Sequence, residues 1–206
     1  MKTLSFIALM MWGAFGGSNV EAEEVTLGDA VFATTSADAD NKWYDPMRAD
    51  AAKVFDGFGA MAGQTRTVTY SSGNQIAGVN AIKRHTVDSG SPAKTEDVWI
   101  AFDAEDNARV MKIVRAGNLV FVATAASTPP LFLPSAPTEG QSWEVGGTTA
   151  TIEWVGVSSS GTKLKISYLD AGGGSHSDLL EAGRGVHTTD CGEESGWRLR
   201  PVESAQ

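Results

Sequence analysis

Cysteine is almost missing from this chain of 206 residues, in which Cys191 is the only one. A lone cysteine cannot form a disulfide within the chain, so the packing of apolar side chains has to provide the stability. Positive charge is also scarce, because 16 Lys and Arg residues stand against 25 Asp and Glu residues, and the formal net charge is −9. Nucleic acids and anionic membranes bind clustered positive charge, so we expect neither as a partner.

Long apolar runs are missing as well, since no segment has the roughly 18 consecutive apolar residues that a transmembrane helix needs. The chain instead begins with the pattern of a secretory signal peptide. Lys2 precedes an apolar stretch at residues 4–15, and the small or branched residues Val20 and Ala22 suit a signal peptidase site. Cleavage after Ala22 predicts a mature protein that is secreted or periplasmic and has no transmembrane segment.

Composition divides the mature chain into two segments. Residues 23–62 are rich in Asp and Ala. Residues 63–206 contain short runs of Val, Ile, Thr and aromatic residues between Gly, Ser and Asn clusters, which is typical of antiparallel β-structure. We therefore predict a mainly β fold, with antiparallel meanders that form a curled sheet, a sandwich or a barrel. The predicted strands are residues 65–70, 79–87, 96–102, 109–114, 119–125, 142–145, 149–157, 163–169 and 197–202.

One short helix is predicted in the N-terminal segment. Asp45 can cap it, Pro46 suits its first turn, and apolar residues up to Val54 recur at helical spacing. We expect this helix to end near Gly57.

An internal repeat is suggested by two similar fragments that begin at Gly63 and Gly140, each at the entry to a strand meander. The proline-containing residues 127–140 lie between them and interrupt the strands, because proline cannot donate to a β-ladder. The β-rich domain is therefore predicted to contain two similar meanders joined near residues 127–140.

Two strands carry clear predictions about burial. In residues 163–168, alternation places Leu164, Ile166 and Tyr168 on a buried face and the lysines on a solvated face. Residues 119–123 are apolar on both faces, which predicts a strand that is buried on both sides.

A further pattern is the proline-containing stretch with Pro134 and Pro137 that leads to Gly140 and Trp143, followed by a late Gly-x-Gly-Val at residues 183–186. The chain resembles a loose group of bacterial envelope proteins and lipoproteins with no assigned chemistry, over about residues 64–202. The resemblance implies a β-rich domain located in the envelope. The chain departs from the lipoproteins because no cysteine follows the signal peptide to carry a lipid.

Three residues near the C-terminus are candidate metal ligands: His176, His187 and Cys191. Imidazole and thiolate are the ligands that zinc prefers, and these three lie within sixteen positions of one another. The surrounding glycines and threonines favour loop or strand, where a spacing of four residues does not bring ligands together. A metal-dependent enzyme around these histidines is one alternative, and solvated histidines are the other.

A binding surface is the more favoured hypothesis, and Trp99 is its centre. Alternation in residues 97–103 places Trp99 opposite the core face, beside Asp97 and Asp103. An exposed tryptophan between acids could stack on a sugar or contact a partner, whereas a second layer that covers this face would make it core. The other tryptophans, Trp143, Trp154 and Trp197, have apolar neighbours and are predicted to be core.

Catalytic motifs are missing from the sequence, which has no Gly-x-Ser-x-Gly, no phosphate-binding glycine loop and no His-Glu-x-x-His. No cofactor is predicted. The sequence therefore favours a non-catalytic binding protein or envelope accessory protein, with a carbohydrate-binding or cell-wall-binding module as an alternative. Cell-wall glycan and an envelope protein are the expected classes of partner.

Overall fold

The computed structural model of this chain describes residues 24–33, 41–43, 52–159, 161–192 and 194–201. They form fifteen β-strands and a short 3₁₀ helix, Gly59–Met61. The strands are β1 (Glu24–Leu27), β2 (Ala30–Ala33), β3 (Lys53–Phe58), β4 (Thr65–Ile76), β5 (Val79–Asp88), β6 (Lys94–Phe102), β7 (Ala108–Arg115), β8 (Asn118–Val122), β9 (Leu131–Leu133), β10 (Ser142–Val145), β11 (Thr148–Ser158), β12 (Gly161–Asp170), β13 (Ser175–Glu181), β14 (Gly185–Asp190) and β15 (Gly196–Leu199).

The predicted mainly β class is confirmed, and all the described strand pairs are antiparallel. The signal peptide predicted for residues 1–22 lies outside the described residues. Within the described ranges, no helix has the length and hydropathy that a membrane span requires.

One large sheet contains thirteen of the described strands. Strands β3 to β8 form one meander and β10 to β15 form another, and the pairing of β15 with β3 joins the two. The short strand β9 lies in the connector between the meanders and pairs with β7 beside β8. As far as the structure describes the chain, the sheet is open, and β8 and β10 are the end strands of its order.

The sheet curls, so side chains from the two meanders meet in one core. Strands β6 and β7 contribute Val98, Ile100 and Val110 from the first meander, and β11 and β12 contribute side chains from the second. The fully buried side chains from the second meander are Ala150, Ile152, Leu164 and Ile166. The alternation predicted for residues 163–168 is confirmed for Leu164 and Ile166, which have no exposed surface.

A second layer covers the other face of β5, β6 and β7. It is the hairpin of β1 and β2, whose Leu27 and Phe32 lie in one cluster with Trp99, Met111 and neighbouring side chains. The Ala104 amide donates to the Val31 carbonyl at 2.7 Å and fixes the hairpin to the turn after β6. The two faces of these strands are therefore both buried, one by the opposite meander and one by the hairpin.

The predicted helix is not observed where the structure describes the chain. Val54 and Gly57 lie in strand β3, while Asp45 and Pro46 lie outside the described residues. Strand β3 pairs with β4 on one side and β15 on the other, and its Phe55 packs with Trp197 in a small cluster. These long-range pairings satisfy the backbone and bury the aromatic ring, so they outweigh the local helical spacing.

The prediction that residues 119–123 are buried on both sides is wrong for β8. Leu119 is 59% exposed, and Val120 and Val122 are also exposed. The cause is position, because β8 is an end strand and pairs only with β7 among the described residues. An apolar sequence is thus left at the rim of the sheet.

Candidate functional site

Trp99 is buried, with only 8% of its surface exposed. The β1–β2 hairpin shares its cluster, and two ammonium groups lie over its ring, with Nζ of Lys83 at 5.2 Å and Nζ of Lys112 at 4.6 Å from the centroid. The faces of the Trp99 ring are therefore in contact with other parts of the protein itself. The β1–β2 hairpin is therefore the second layer that covers Trp99. The ring does not form an exposed surface on which a sugar or a partner could stack.

The two acids beside Trp99 are also engaged inside the protein. The Asp97 carboxylate accepts from Nζ of Lys83 at 2.9 Å and lies 2.5 Å from Nδ1 of His85. Burial raises the pKa of Asp97, but the hydrogen bonds from Lys83 and His85 outweigh burial and lower the pKa overall. These bonds hold strands β5 and β6 together rather than leaving the carboxylate for a ligand.

Asp103 organises the turn between β6 and β7. Its Oδ1 accepts from the amides of Glu105 and Asn107 at 3.0 and 2.9 Å, and its Oδ2 accepts from Nε of Arg109 at 2.5 Å. The side chain is nearly buried. The acidic side chain at position 103 therefore serves the fold, because its carboxylate accepts hydrogen bonds from the backbone amides of a tight turn.

The three candidate metal ligands do not come together. The His176 ring stacks on Tyr168 with centroids 4.6 Å apart, and Nδ1 of His187 lies 2.9 Å from Oγ1 of Thr188. Cys191 is half-buried beside the cluster of Phe55 and Trp197, and burial raises the pKa of its thiol. Across the described residues, no group of three His, Cys, Asp or Glu side chains is placed to hold a metal ion.

A small, partly open cavity of about 40 Å³ lies on the inner face of the curled sheet. Its lining brings together aromatic and charged side chains from distant strands, which sequence reasoning did not identify: Trp43, Tyr70, Arg84, Phe132, Tyr168 and Asp178. The volume suits about three water molecules and is far below the roughly 300 Å³ of a typical ligand pocket. We therefore regard this cavity as a polar site that water can fill.

Asp178 is the acidic residue that lines this cavity. Burial raises the pKa of its carboxyl, although Oγ1 of Thr189 donates to it at 2.6 Å and nearby positive groups favour the ionised form. Burial likewise raises the pKa of Tyr168 well above its usual value. Asp178 and Tyr168 together give this side of the core a polar character.

Most of the exposed large apolar side chains among the described residues lie at edges of the sheet. Of the seven among the described residues, three are on β8 and three are on the second half of β11: Leu119, Val120, Val122, Trp154, Val155 and Val157. The seventh, Leu169, lies on β12, which is paired on both sides. Exposed apolar surface is thus concentrated on two short stretches of edge strand.

The second half of β11 is an edge because β10 is shorter than β11. Strand β10 pairs with Thr148 to Thr151. The Gly140 amide also donates to the Ile152 carbonyl, and the Ile152 amide donates to the Gln141 carbonyl. Beyond that point no described strand pairs with β11 on this side, whereas β12 continues along the other side. We call residues 154–157 the β11 edge and Asn118–Val122 the β8 edge.

Trp154 is the exposed aromatic side chain of the β11 edge, with 37% of its surface exposed, so the prediction that it is core is wrong. A side chain added at Gly156 would come within 3.1 Å of Cζ3 of the Trp154 ring. The indole therefore leans along its own strand over the glycine. Trp197 is fully buried and Trp143 is partly buried against the main core.

A comparison of the chain with protein families, curated proteins and solved structures found no match. The described residues form a mainly β fold with an open antiparallel sheet, and the function has to be argued from the surface of this fold.

Proposed function

We propose that this chain is a secreted or periplasmic protein that binds a partner without catalysis, and that the β8 edge and the β11 edge are its binding surface. The observation that carries the proposal is the placement of six exposed apolar side chains on these two edges. The partner is an envelope protein that presents an extended segment.

The physical argument starts from the backbone of an edge strand. Such a strand has unpaired N–H and C=O groups that can take up another strand, and natural proteins block it with lysine, proline or a covering loop. Neither edge contains a lysine or a proline. An extended partner would gain backbone hydrogen bonds along the edge and would bury apolar side chains on both faces.

The binding surface can be tested by site-specific photo-crosslinking in cells that export the protein. A crosslinking residue at position 120 or 157 should give protein adducts, and one at Leu169 should not, although Leu169 is 55% exposed. Adducts at position 120 should fall about tenfold when Leu119→Lys adds a charge to the β8 edge. Equal adducts at all three positions, or none at either edge, would contradict the proposal.

The location of the protein rests on the signal peptide pattern. We expect mass spectrometry of the exported protein to give Glu23 as the first residue, because Val20 and Ala22 form the predicted cleavage site. An envelope fraction in which the chain still begins at Met1 would show that the apolar stretch is retained as an anchor.

A carbohydrate-binding module is the second candidate, and Trp154 is the observation that favours it. The indole is exposed and leans over Gly156, and Lys165 lies opposite it on β12 with its ammonium 2.6 Å from Oε2 of Glu153. An exposed aromatic ring beside polar groups can stack on a sugar.

Cosedimentation with purified cell-wall glycan tests this second candidate. Trp154→Ala should weaken binding about fivefold or more, Gly156→Val should weaken it by displacing the intact ring, and Leu119→Lys should leave it unchanged. Binding that does not respond to either change at the β11 edge would remove the glycan candidate.

A further inference from the structure

We propose that a second copy of this chain occupies the two edges, with the β8 edge of one copy paired to the β11 edge of the next. This inference rests on the proposed binding role of the edges and names the partner. It would extend the sheet of one molecule into the sheet of its neighbour.

The first argument is that the two edges match each other in length and in apolar character. The β8 edge has five residues and the β11 edge has four, so both are short strands of similar length with apolar side chains on both faces. The β8 edge ends the sheet order on one side, and the β11 edge lies on the strand next to the other end. A partner of a different kind would need only one such edge, whereas pairing between copies uses both.

The second argument is electrostatic. The chain has a formal net charge of −9, so two copies repel each other over most of their surfaces. The β8 edge and the β11 edge contain no charged residue. Contact between copies is therefore least unfavourable where the two uncharged edges meet, and added salt should strengthen it by screening the remaining repulsion.

The size of the contact sets its expected strength. The four residues of the β11 edge span about 14 Å of strand, and a contact of this length is smaller than the roughly 1,200 to 2,000 Å² of a standard stable interface. The association should therefore be weak and dependent on concentration. Because the two edges are different, it is head-to-tail, so it can continue to higher oligomers.

Sedimentation velocity of the purified mature chain over a wide concentration range is the main test. We expect the mean mass to rise with concentration and with added salt. Val157→Lys and Leu119→Lys should each raise the dissociation constant about tenfold or more, since each places an unpaired charge in the contact. Leu169→Lys is the matched control and should have no effect, because Leu169 is exposed on a strand paired on both sides.

Mixing the two edge variants gives a sharper result. The Leu119→Lys chain keeps an intact β11 edge and the Val157→Lys chain keeps an intact β8 edge, so the mixture should form a dimer that stops at two copies. Hydrogen exchange of the unaltered chain should also show edge amides that become protected as concentration rises. This second measurement needs no variant and so does not depend on variant folding.

Several outcomes would overturn the inference. A chain that stays monomeric at all concentrations, an equal effect of Leu169→Lys, or a mixture that does not dimerise would each do so. A monomer that still gives edge adducts with another protein in the crosslinking experiment would leave the proposed function in place. A monomer that binds cell-wall glycan through Trp154 would favour the carbohydrate candidate instead.

Discussion

Replacing Trp99 by Ala tests whether the β1–β2 hairpin is an integral layer of the fold. The ring is 8% exposed and shares a cluster with Leu27 and Phe32 of the hairpin. Truncating a buried Trp to Ala costs about 3 to 5 kcal/mol, and each of the two lysines over the ring contributes about 0.5 to 1 kcal/mol more. We therefore expect the free energy of unfolding to fall by about 4 kcal/mol or more.

Urea unfolding followed by circular dichroism measures this loss, provided that the slope of the transition is unchanged. Hydrogen exchange should show the largest loss of protection in β1 and β2, because Trp99 lies beneath them. Lys112→Met is a useful control, since it keeps the apolar stem, removes the charge over the ring and should cost about 1 kcal/mol or less. A loss below about 1 kcal/mol for Trp99→Ala would refute the second-layer interpretation.

Three other predictions concern the core and its turns. Ile166→Ala should cost about 2 to 5 kcal/mol in urea unfolding because the side chain is fully buried, whereas Lys165→Ala should cost about 1 kcal/mol or less because its ion pair is solvated. Burial raises the pKa of Asp178 above 3.8, so its stabilising contribution is present below pH 3.8 and is lost as the pH rises through the raised pKa. Asp178→Asn should flatten this part of the curve of stability against pH. Gly28→Ala should cost about 2 kcal/mol or more in thermal unfolding, because φ is +57° and the new Cβ would overlap Thr128.

Local patterns predicted much of the β-structure. Alternation in residues 163–168 gave the correct buried face, and the predicted strand at residues 109–114 matches β7 (Ala108–Arg115). In both cases neighbouring residues determine the outcome. The strands β13 and β14 were missed, because Ser175–Glu181 and Gly185–Asp190 are polar and glycine-flanked and form strands mainly through their pairing partners.

The candidate site could not be predicted because it depends on position in the sheet. The runs that include Leu119 and Trp154 are as apolar as buried strands. Only the sheet order shows that β8, with Leu119, is an end strand, and that β11, with Trp154, extends beyond the shorter strand β10. The cavity beside Asp178 likewise joins strands that are far apart in sequence. Burial of Trp99 depended on the hairpin from residues 24–33, which gave no strong strand signal.

The pairing of β15 with β3 determines when the large sheet can be completed. Near this seam, the guanidinium of Arg200 bonds to Asp56 across 144 positions of the chain. A contact between residues so far apart closes a long loop, and the entropic cost of closing that loop comes before the contact stabilises the fold. Such contacts therefore slow folding. A growing chain can form its first meander early, but β3 keeps an open side until β15 has been synthesised. The seam makes completion of the sheet a late event in folding, because strands from both meanders have to be in place before it can form.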